Sequence, residues 1–490
     1  MRIKTFGMAL LACAGAGAAE VSTSPDRVKT KLDVDFERIG TLAQRTVDEI
    51  GDSDWTIGCE CLDRDYADFA KYREFLPKLG IRKLRLQGGW AKCEKEKGRY
   101  NFRWLDEIVD WANAHGHSCM IQTSYGNPIY KDPASKGAYS TMPHEGEYFE
   151  AWKRWVDALS KHFAGRVTDW EMWNEPNNTE GNTPEVIALN DTVTAEIIKR
   201  NIPNARIAGI VLGHDDDFPA LIKALAATGK AGLFTWITTH PYDLNPEKHI
   251  GEHIEANIRL IDKYAPGAKL RVGESGAVSE MVEHFGYKDI PFTEISQAKL
   301  ALRRMLVDHA YGIDSTVFTI ADLNYDGVDA VQRNPKGLLR ANAKRDIIAV
   351  KRAFYAVQNC VGVFDRSLEL APTGTFTNAD ETVFFREWRG GDGTPVVAFW
   401  KFEDREDDGW ESIVKVTRTR PSESFATQPT VFERVGRPLE EPVWVDLLSG
   451  RVYALPKECQ IVHSCGVTFV DVPVYDSPCL LTERKALRLR

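Results

Sequence analysis

The stretch Val167-Thr-Asp-Trp-Glu-Met-Trp-Asn-Glu-Pro-Asn177 decides how this 490-residue chain is read. Val167, Trp170, Met172 and Trp173 make the apolar and aromatic run of a buried parallel strand, and Asn174, Glu175, Pro176 and Asn177 follow where such a strand stops. Pro176 has no N–H for a sheet ladder, so the strand ends by about Glu175 and presents that carboxyl at its C-terminal edge. In a closed parallel barrel that edge carries the active site.

A second stretch, Leu270-Arg-Val-Gly-Glu-Ser-Gly276, repeats the pattern with a short apolar strand ending in Gly273, Glu274 and Gly276. Two strand-end carboxyls fit a double displacement at a glycosidic bond. One, protonated, assists the leaving group; the other, ionised and about 5–5.5 Å away, attacks the sugar.

Around these stretches strands alternate with helices. Thr56–Leu62 leads to a helix over Ala67–Leu79 stopped by Gly80, Lys83–Gln87 to Arg103–His115, and Ser118–Ser124 to Tyr148–Phe163. After the Glu175 strand, Thr183 as N-cap and Pro184 in the first turn open the next helix. Ala205–Leu212 leads to Phe218–Ala227, Phe234–Thr239 ends in His240-Pro-Tyr242, the Glu274 strand follows, and Ser315–Ala321 precedes a helix from about Leu338 to Val357. Eight such units predict the α/β class and a (β/α)8 TIM barrel over residues 56–357. An open doubly wound sheet is the alternative, but no G-x-G-x-x-G follows the first strand.

From about Asn359 the rhythm becomes short β-branched or aromatic runs: Val361–Phe364, Thr382–Trp388, Pro395–Phe402, Ile413–Val416, Val443–Leu447 and Val467–Val472. Turn signals such as Gly390-Gly-Asp-Gly393 and Ser449-Gly450 divide them, which predicts a β-sandwich over 358–490. Residues 20–55, with alternation in Lys31–Phe36, are expected to join it.

Composition is that of a globular protein, 43% hydrophobic and 27% charged, with a formal net charge of −9. That balance, without a basic run, excludes nucleic acid as the expected partner, and a carbohydrate fits better. No stretch after the leader is long and apolar enough for a transmembrane span. Arg2, Lys4, the apolar run Phe6–Ala12 and the small residues before Glu20 read as a signal peptide over residues 1–19, and predict export to the periplasm or beyond. Leu10-Leu-Ala-Cys13 also resembles a bacterial lipobox, which implies a competing cut and a lipid anchor on Cys13. Of the nine cysteines, Cys59, Cys61 and Cys119 read as small buried thiols, and Cys459 with Cys465 as the most plausible disulfide. No C-x-x-C pairing suggests zinc, and no cofactor is expected.

Trp173-Asn-Glu-Pro-Asn177, His240-Pro-Tyr242 and Gly273-Glu-Ser275 resemble the fourth, sixth and seventh strand ends of the clan A glycoside hydrolases. With a β-sandwich after the barrel, the chain looks most like the β-xylosidase and α-L-iduronidase family. The resemblance covers residues 55–357 and implies Glu175 as general acid/base and Glu274 as nucleophile. It also implies that Arg85 keeps Glu274 ionised and that Asn174 bonds the sugar 2-hydroxyl.

Physically, burial beside Trp170, Trp173 and Pro176 would keep Glu175 protonated, and Gly273 and Gly276 would leave room for a sugar. Tyr242 could donate to Glu274, while His240 and Arg85 each carry a competing structural reading. Trp90, Tyr125, Trp173, Tyr242 and Phe318 are candidates for stacking on sugar faces, with core packing as the competing reading. Gln87, Asn127 and Asp322 are candidates for bonding sugar hydroxyls. Asp322–Gly327 begins like a calcium loop, but Arg333 stands where an EF-hand needs its twelfth-position Glu, so no metal is expected. The expected function is a retaining, exo-acting glycosidase, with Tyr130–Gly146 available as a pocket wall. The alternatives are an endo-acting glucanase or mannanase of the same clan and a non-catalytic sugar-binding barrel.

Overall fold

The computed structural model describes residues 19–32, 34–130, 141–283, 286–326, 331–371, 374–402 and 425–490. The signal peptide, Cys13, the run Ile413–Val416 and most of the Tyr130–Gly146 wall lie outside the described residues.

Arg38–Thr41 is β1. Eight parallel strands then close into a barrel: β2 (Trp55–Gly58), β3 (Lys83–Gln87), β4 (Ser118–Gln122), β5 (Asp169–Glu171), β6 (Arg206–Leu212), β7 (Trp236–Thr239), β8 (Lys269–Ser275) and β9 (Asp314–Val317). β2 pairs with β9 from Trp55↔Ser315 to Ile57↔Val317, which completes the ring. Successive side chains of a strand point to opposite faces. Leu84, Leu86, Ile121 and Trp170 accordingly turn out into the apolar layer under the helices, while Arg85, Gln122 and Glu171 turn in and meet one another. The barrel interior is therefore an ion network where many barrels hold layers of branched apolar residues.

The helices pack outside. Thr183 Oγ1 accepts Val186 N–H at the start of Pro184–Asn201, and Thr293 with Ser296 forms a capping box for Glu294–Ala310. That last helix, which no sequence period announced, is buried almost all round, because it lies between the barrel and the C-terminal sheets. Lys299 pairs with Asp476 of that region at 2.6 Å.

A seven-stranded antiparallel sheet runs in the order β1, Arg451–Ala454, Pro442–Asp446, Cys479–Glu483, Pro395–Lys401, Val383–Gly390, Leu368–Leu370. Both its faces are buried. In the Pro395–Lys401 strand, Val396, Ala398 and Trp400 join the apolar cluster of the barrel. Val397 and Phe399 pack with Phe432 and Phe469 of a four-stranded sheet (Phe376–Thr377, Gln428–Val435, Gly466–Val474, Gln460–Val462). Trp400 Nε1 donates to Glu247 at 2.5 Å and Asn245 to the Phe402 carbonyl at 2.7 Å, tying the sandwich to the loop after β7.

Several expectations are corrected. Val361–Phe364 is no strand: Val361–Val363 end the helix Arg352–Val363. The helix expected from Leu338 is a hairpin first, Leu339–Ala341 with Ile347–Val350, because the β-branched run Ile347-Ile-Ala-Val350 pairs instead of coiling. The Ala67–Leu79 helix is two short helices joined by a 3₁₀ turn at Arg73–Phe75. The N-terminal strand is Arg38–Thr41, not Lys31–Phe36, since its partner is Arg451–Tyr453. Cys459 is a buried and Cys465 an exposed free thiol, so they form no disulfide; Cys59, Cys61 and Cys119 are buried free thiols.

Candidate active site

Three strands bring charge to one point. Arg85 of β3, fully buried, donates Nε and Nη2 to Glu171 of β5 (2.8 and 3.0 Å), Nη1 to both Glu60 (2.6 Å) and Glu274 of β8 (2.7 Å), and Nη2 to Asn174 Oδ1 (2.9 Å). Arg271 of β8 adds a second cation 3.2 Å from Glu171. Two guanidinium groups thus face three carboxyls, which compete for the positive charge. Glu60 is the one pushed toward its protonated form. Burial, and the charges of Glu274 and Glu171, outweigh Arg85 and push its pKa up to about 7. Glu171 goes the other way: burial raises it, but Arg85 and Arg271 hold it below the usual carboxylate range.

Glu274 takes Arg85 on one oxygen and the Tyr242 hydroxyl on the other, at 3.0 Å. Its side chain is 8% exposed, and that of Glu175 26%, so Glu175 is the wetter of the two. Glu175 sits just beyond β5 with φ +45°, a left-handed backbone that a side chain adopts only under constraint. The constraint comes from β6. There the ladder slips between Gly209 and Leu212, Ile210 takes φ +49°, and the Val211 carbonyl accepts Glu175 N–H at 2.9 Å. Asp191, buried on the helix Pro184–Asn201, holds the bulge by accepting Ile210 N–H at 2.9 Å.

His240, at the end of β7, joins the two glutamates. Its Nδ1 lies 2.9 Å from Glu175 and 3.7 Å from Glu274, and the ring nitrogen and one oxygen of each glutamate lie within 4.8 Å of one another. That spacing matches the approach of two carboxyls acting directly on one bond and leaves no room for the interposed water of an inverting site. Burial lowers the His240 pKa, but the charge of Glu274 and the hydrogen bond to Glu175 raise it above 6.5 on balance. Burial raises Glu175, but the His240 bond and the charges of His240, Arg85 and Lys336 leave it below 4.5. The two shifts are opposite in sign and both favour the charged pair, with the His240 Nδ1 directed at Glu175.

This runs against the expectation that burial beside the indoles keeps Glu175 protonated, because the His240 bond and the charges of His240, Arg85 and Lys336 outweigh burial. Trp170 and Trp173 are fully buried, Trp173 against Trp152 and Tyr125. Nor do the glycines make room for a sugar. A Cβ on Gly273 would fall 2.7 Å from His240 Nε2, and one on Gly276 would meet the Phe318 carbonyl. They let β8 pack against its neighbours.

The rim residues divide. Asn174 accepts from Arg85 and Gln122 and gives one Nδ2 proton to the Tyr125 hydroxyl at 2.8 Å, which leaves its second amide proton and the Tyr125 proton for a ligand. Tyr125 is partly exposed, with the Arg64 guanidinium 4.6 Å from its ring. Trp90 is removed from the stacking candidates: it is fully buried among Tyr148, Trp152 and Trp155. Asn127 is committed to the Glu94 carbonyl and to Ile129 N–H, and Gln87 Oε1 accepts from Cys61 N–H and Arg64. Asp322 is buried and paired with buried Lys351 at 2.5 Å.

Comparison with known proteins agrees with the architecture. The family model described as Beta-galactosidase, glycoside hydrolase family 42, matches residues 67–130. No curated protein matches the chain in sequence. Among solved structures, a family 39 glycoside hydrolase from the gut symbiont Bacteroides cellulosilyticus WH2 aligns with TM-score 0.61 at 16% identity, covering 90% of this chain and 81% of that one. A monomeric β-xylosidase from Caulobacter crescentus CB15 aligns with TM-score 0.55 at 16% identity, covering 92% and 98%. A family 30 endoxylanase from Clostridium papyrosolvens C71 gives 0.54 at 13%, covering 91% and 98%. The fold is that of the clan A glycoside hydrolases.

In this barrel, several residues of the mouth had not been singled out from sequence: Glu60, Glu171, Gln122, Arg271 and Lys336. A signal existed for Glu171. Lys83-Leu-Arg-Leu-Gln87 and Asp169-Trp-Glu171 alternate polar with apolar, which a strand buried on both faces does not do unless its inward side chains pair with one another. Lys336 had no such signal, because a loop after the last strand has no period.

Proposed function

We propose that this chain is an exported, retaining glycoside hydrolase that removes a terminal sugar, with Glu274 as nucleophile and Glu175 as acid/base. The observation that carries this reading is the approach of the two carboxylates within 4.8 Å across His240, at the C-terminal mouth of the barrel. Glu274 attacks the anomeric carbon, the bond to the leaving oxygen breaks, and that oxygen takes the proton held between His240 and Glu175. Glu274 becomes a glycosyl ester. Water then gives a proton to Glu175 and its oxygen to the anomeric carbon; the ester bond breaks and Glu274 is again a carboxylate. Two inversions return the original configuration.

Arg85 Nη1, 2.7 Å from one Glu274 oxygen, orients that carboxyl for attack. Once the ester has formed, the Glu274 charge that raises the Glu60 pKa is gone. Removal of a terminal sugar is supported by walls at the mouth. The hairpin Leu323–Asp326 with Val331–Asn334 brings Tyr325 edge-on to Tyr66 at 5.0 Å, and Arg64 bridges Tyr66 and Tyr125. The β-xylosidase and endoxylanase among the structural neighbours make aryl β-D-xyloside the first substrate to try.

The test is a panel of aryl β-glycosides and β-linked oligosaccharides, with the anomer of the first product read by NMR. Phenol release with retained configuration by wild type, absent in Glu274→Ala by about 10⁴-fold or more, is the expected result. Silence of the wild type across the panel, or an inverted product, would sink the proposal.

A further inference from the structure

Three lysines are buried among the described residues: Lys299, Lys336 and Lys351. Lys299 has Asp476 at 2.6 Å and Lys351 has Asp322 at 2.5 Å, as a desolvated ammonium requires. Lys336, 5% exposed, has neither a hydrogen bond nor an ion pair for its Nζ among the described residues. Its neighbours are aromatic faces: Nζ lies 4.2 Å from the centre of Tyr242, 5.8 Å from Phe318 and 5.9 Å from Tyr287.

The ammonium is nonetheless at the chemistry. Tyr242, the nearest ring, is the one whose hydroxyl donates to Glu274. Burial lowers the Lys336 pKa to about 8, opposed by the charges of Glu274 and Glu175, so the group stays mostly charged at neutral pH. Neither glutamate pairs with it. Glu274 is taken by Arg85 and Tyr242, and Glu175 by His240 and Asn178.

Its backbone is fixed from three sides. Gln297 Nε2 donates to the Lys336 and Gly337 carbonyls (3.3 and 3.2 Å), Lys351 Nζ to the Pro335 carbonyl (3.0 Å), and Gly337 N–H donates to Asp322 (3.1 Å). A Cβ at Gly337 would stand 2.1 Å from Asp322 N, so only glycine permits this turn. The buried Asp322–Lys351 pair thus has a purpose that its sequence did not disclose. It is the pedestal for a preorganised cation.

We propose that Lys336 receives an anionic group, a uronate carboxylate or a sulfate ester, on the sugar bound against Glu274. The inference rests on the glycosidase reading of that site and adds its substrate class: acidic glycosides. A neutral sugar would leave the ammonium enclosed by rings without an acceptor of its own charge, whereas an anion supplies the partner that Lys299 and Lys351 already have.

The competing role, a remote counter-ion for Glu274, would act on every substrate alike, so matched pairs separate the two. Wild type, Lys336→Met and Lys336→Arg are assayed on aryl β-D-glucuronide against β-D-glucoside, β-D-galacturonide against β-D-galactoside, and 6-sulfo-β-D-glucoside against β-D-glucoside. Wild type is expected to favour one charged member by at least about tenfold in kcat/KM. Lys336→Met should lose about 10- to 150-fold more on that member than on its neutral mate, with partial retention in Lys336→Arg. Which charged arm responds distinguishes carboxylate from sulfate. Equal losses on both members, or a wild type with no charged preference, overturn the inference and leave the glycosidase reading standing.

Calorimetry with D-glucuronate, D-galacturonate and glucose 6-sulfate, against glucose and galactose, reads the same site without turnover. Anion-selective binding that Lys336→Met abolishes supports Lys336 even if hydrolysis is never seen. Binding without such selectivity, or no binding of any of them by a wild type that also lacks charged preference in turnover, counts against it. Unchanged thermal unfolding of Lys336→Met shows that the fold is intact.

Discussion

The two glutamates stand in unlike surroundings. Glu274 lies inside β8, where the ladder to β9 shifts register between Val272 and Ser275, 8% exposed, with both oxygens taken by Arg85 and Tyr242. Glu175 lies past the end of β5 in left-handed backbone, 26% exposed, and depends on a bulge in the next strand and on one histidine. The difference matches what the two roles demand. A nucleophile needs a fixed charge and a fixed direction, which a strand and a guanidinium provide. An acid/base must change protonation twice per turnover, and a shared proton at the wetter edge of the site permits this.

The comparison can be broken from either side. The largest expected effect is Arg85→Met, which leaves Glu60, Glu171 and Glu274 around a missing cation. Stability should fall by about 3–5 kcal/mol in denaturant unfolding, with activity lost as well. A variant as stable as wild type would show that the carboxyls do not depend on Arg85. Glu175→Gln should lower kcat/KM by about 10²–10⁴-fold for substrates with poor leaving groups, and far less for an activated aryl leaving group that needs no proton. Equal losses for both would remove Glu175 from the acid role.

His240→Asn sharpens the contrast through pH. The raised His240 pKa contributes stability that is full below 6.5 and lost as pH rises through the folded value. The lowered Glu175 pKa contributes stability that is full above 4.5 and lost as pH falls through its folded value. The pair therefore stabilises most between those limits. Removing the imidazole should flatten that maximum and move the basic limb of kcat/KM to lower pH, since the proton then sits on a carboxyl alone. A basic limb left in place would assign it to another group.

The smallest effect expected is from Asp191→Ala, behind the barrel wall. It strips the acceptor from Ile210 N–H and should cost about 1–3 kcal/mol of stability. Because the bulge sets the Glu175 backbone, kcat should drop with little change in KM, while Asp191→Asn, which keeps an acceptor oxygen, retains most of both. A loss confined to stability would mean that Glu175 finds its place without the bulge.

Much of the mouth could be read in one dimension, for a physical reason. Strand ends are marked locally: Pro176 stops one ladder, Gly273 and Gly276 flank the other carboxyl, and His240-Pro-Tyr242 closes a third strand. The eight-unit rhythm follows equally from local periodicity. Where local signals compete, reading failed. Ile347–Val350 looked like one face of a helix and folded as a hairpin, and Val361–Phe364 looked like a strand but is mostly the end of a helix. Trp90 and Trp173, equally plausible as sugar platforms or core, were settled by neighbours some sixty residues or more away in the chain, or close at hand, only once the helices had packed.

By itself, then, the amino-acid order determined an alternating barrel with carboxyls at two of its strand ends, because periodicity and punctuation are properties of neighbouring residues. Only the tertiary structure decided what surrounds those carboxyls. Glu60, Arg85, Glu171, His240 and Glu274 come from five different strands or their ends and meet at 2.6–3.7 Å. Lys336 is the extreme case: nothing adjacent to it in sequence tells that its ammonium ends 4.2 Å from the Tyr242 ring with no hydrogen bond or ion pair among the described residues.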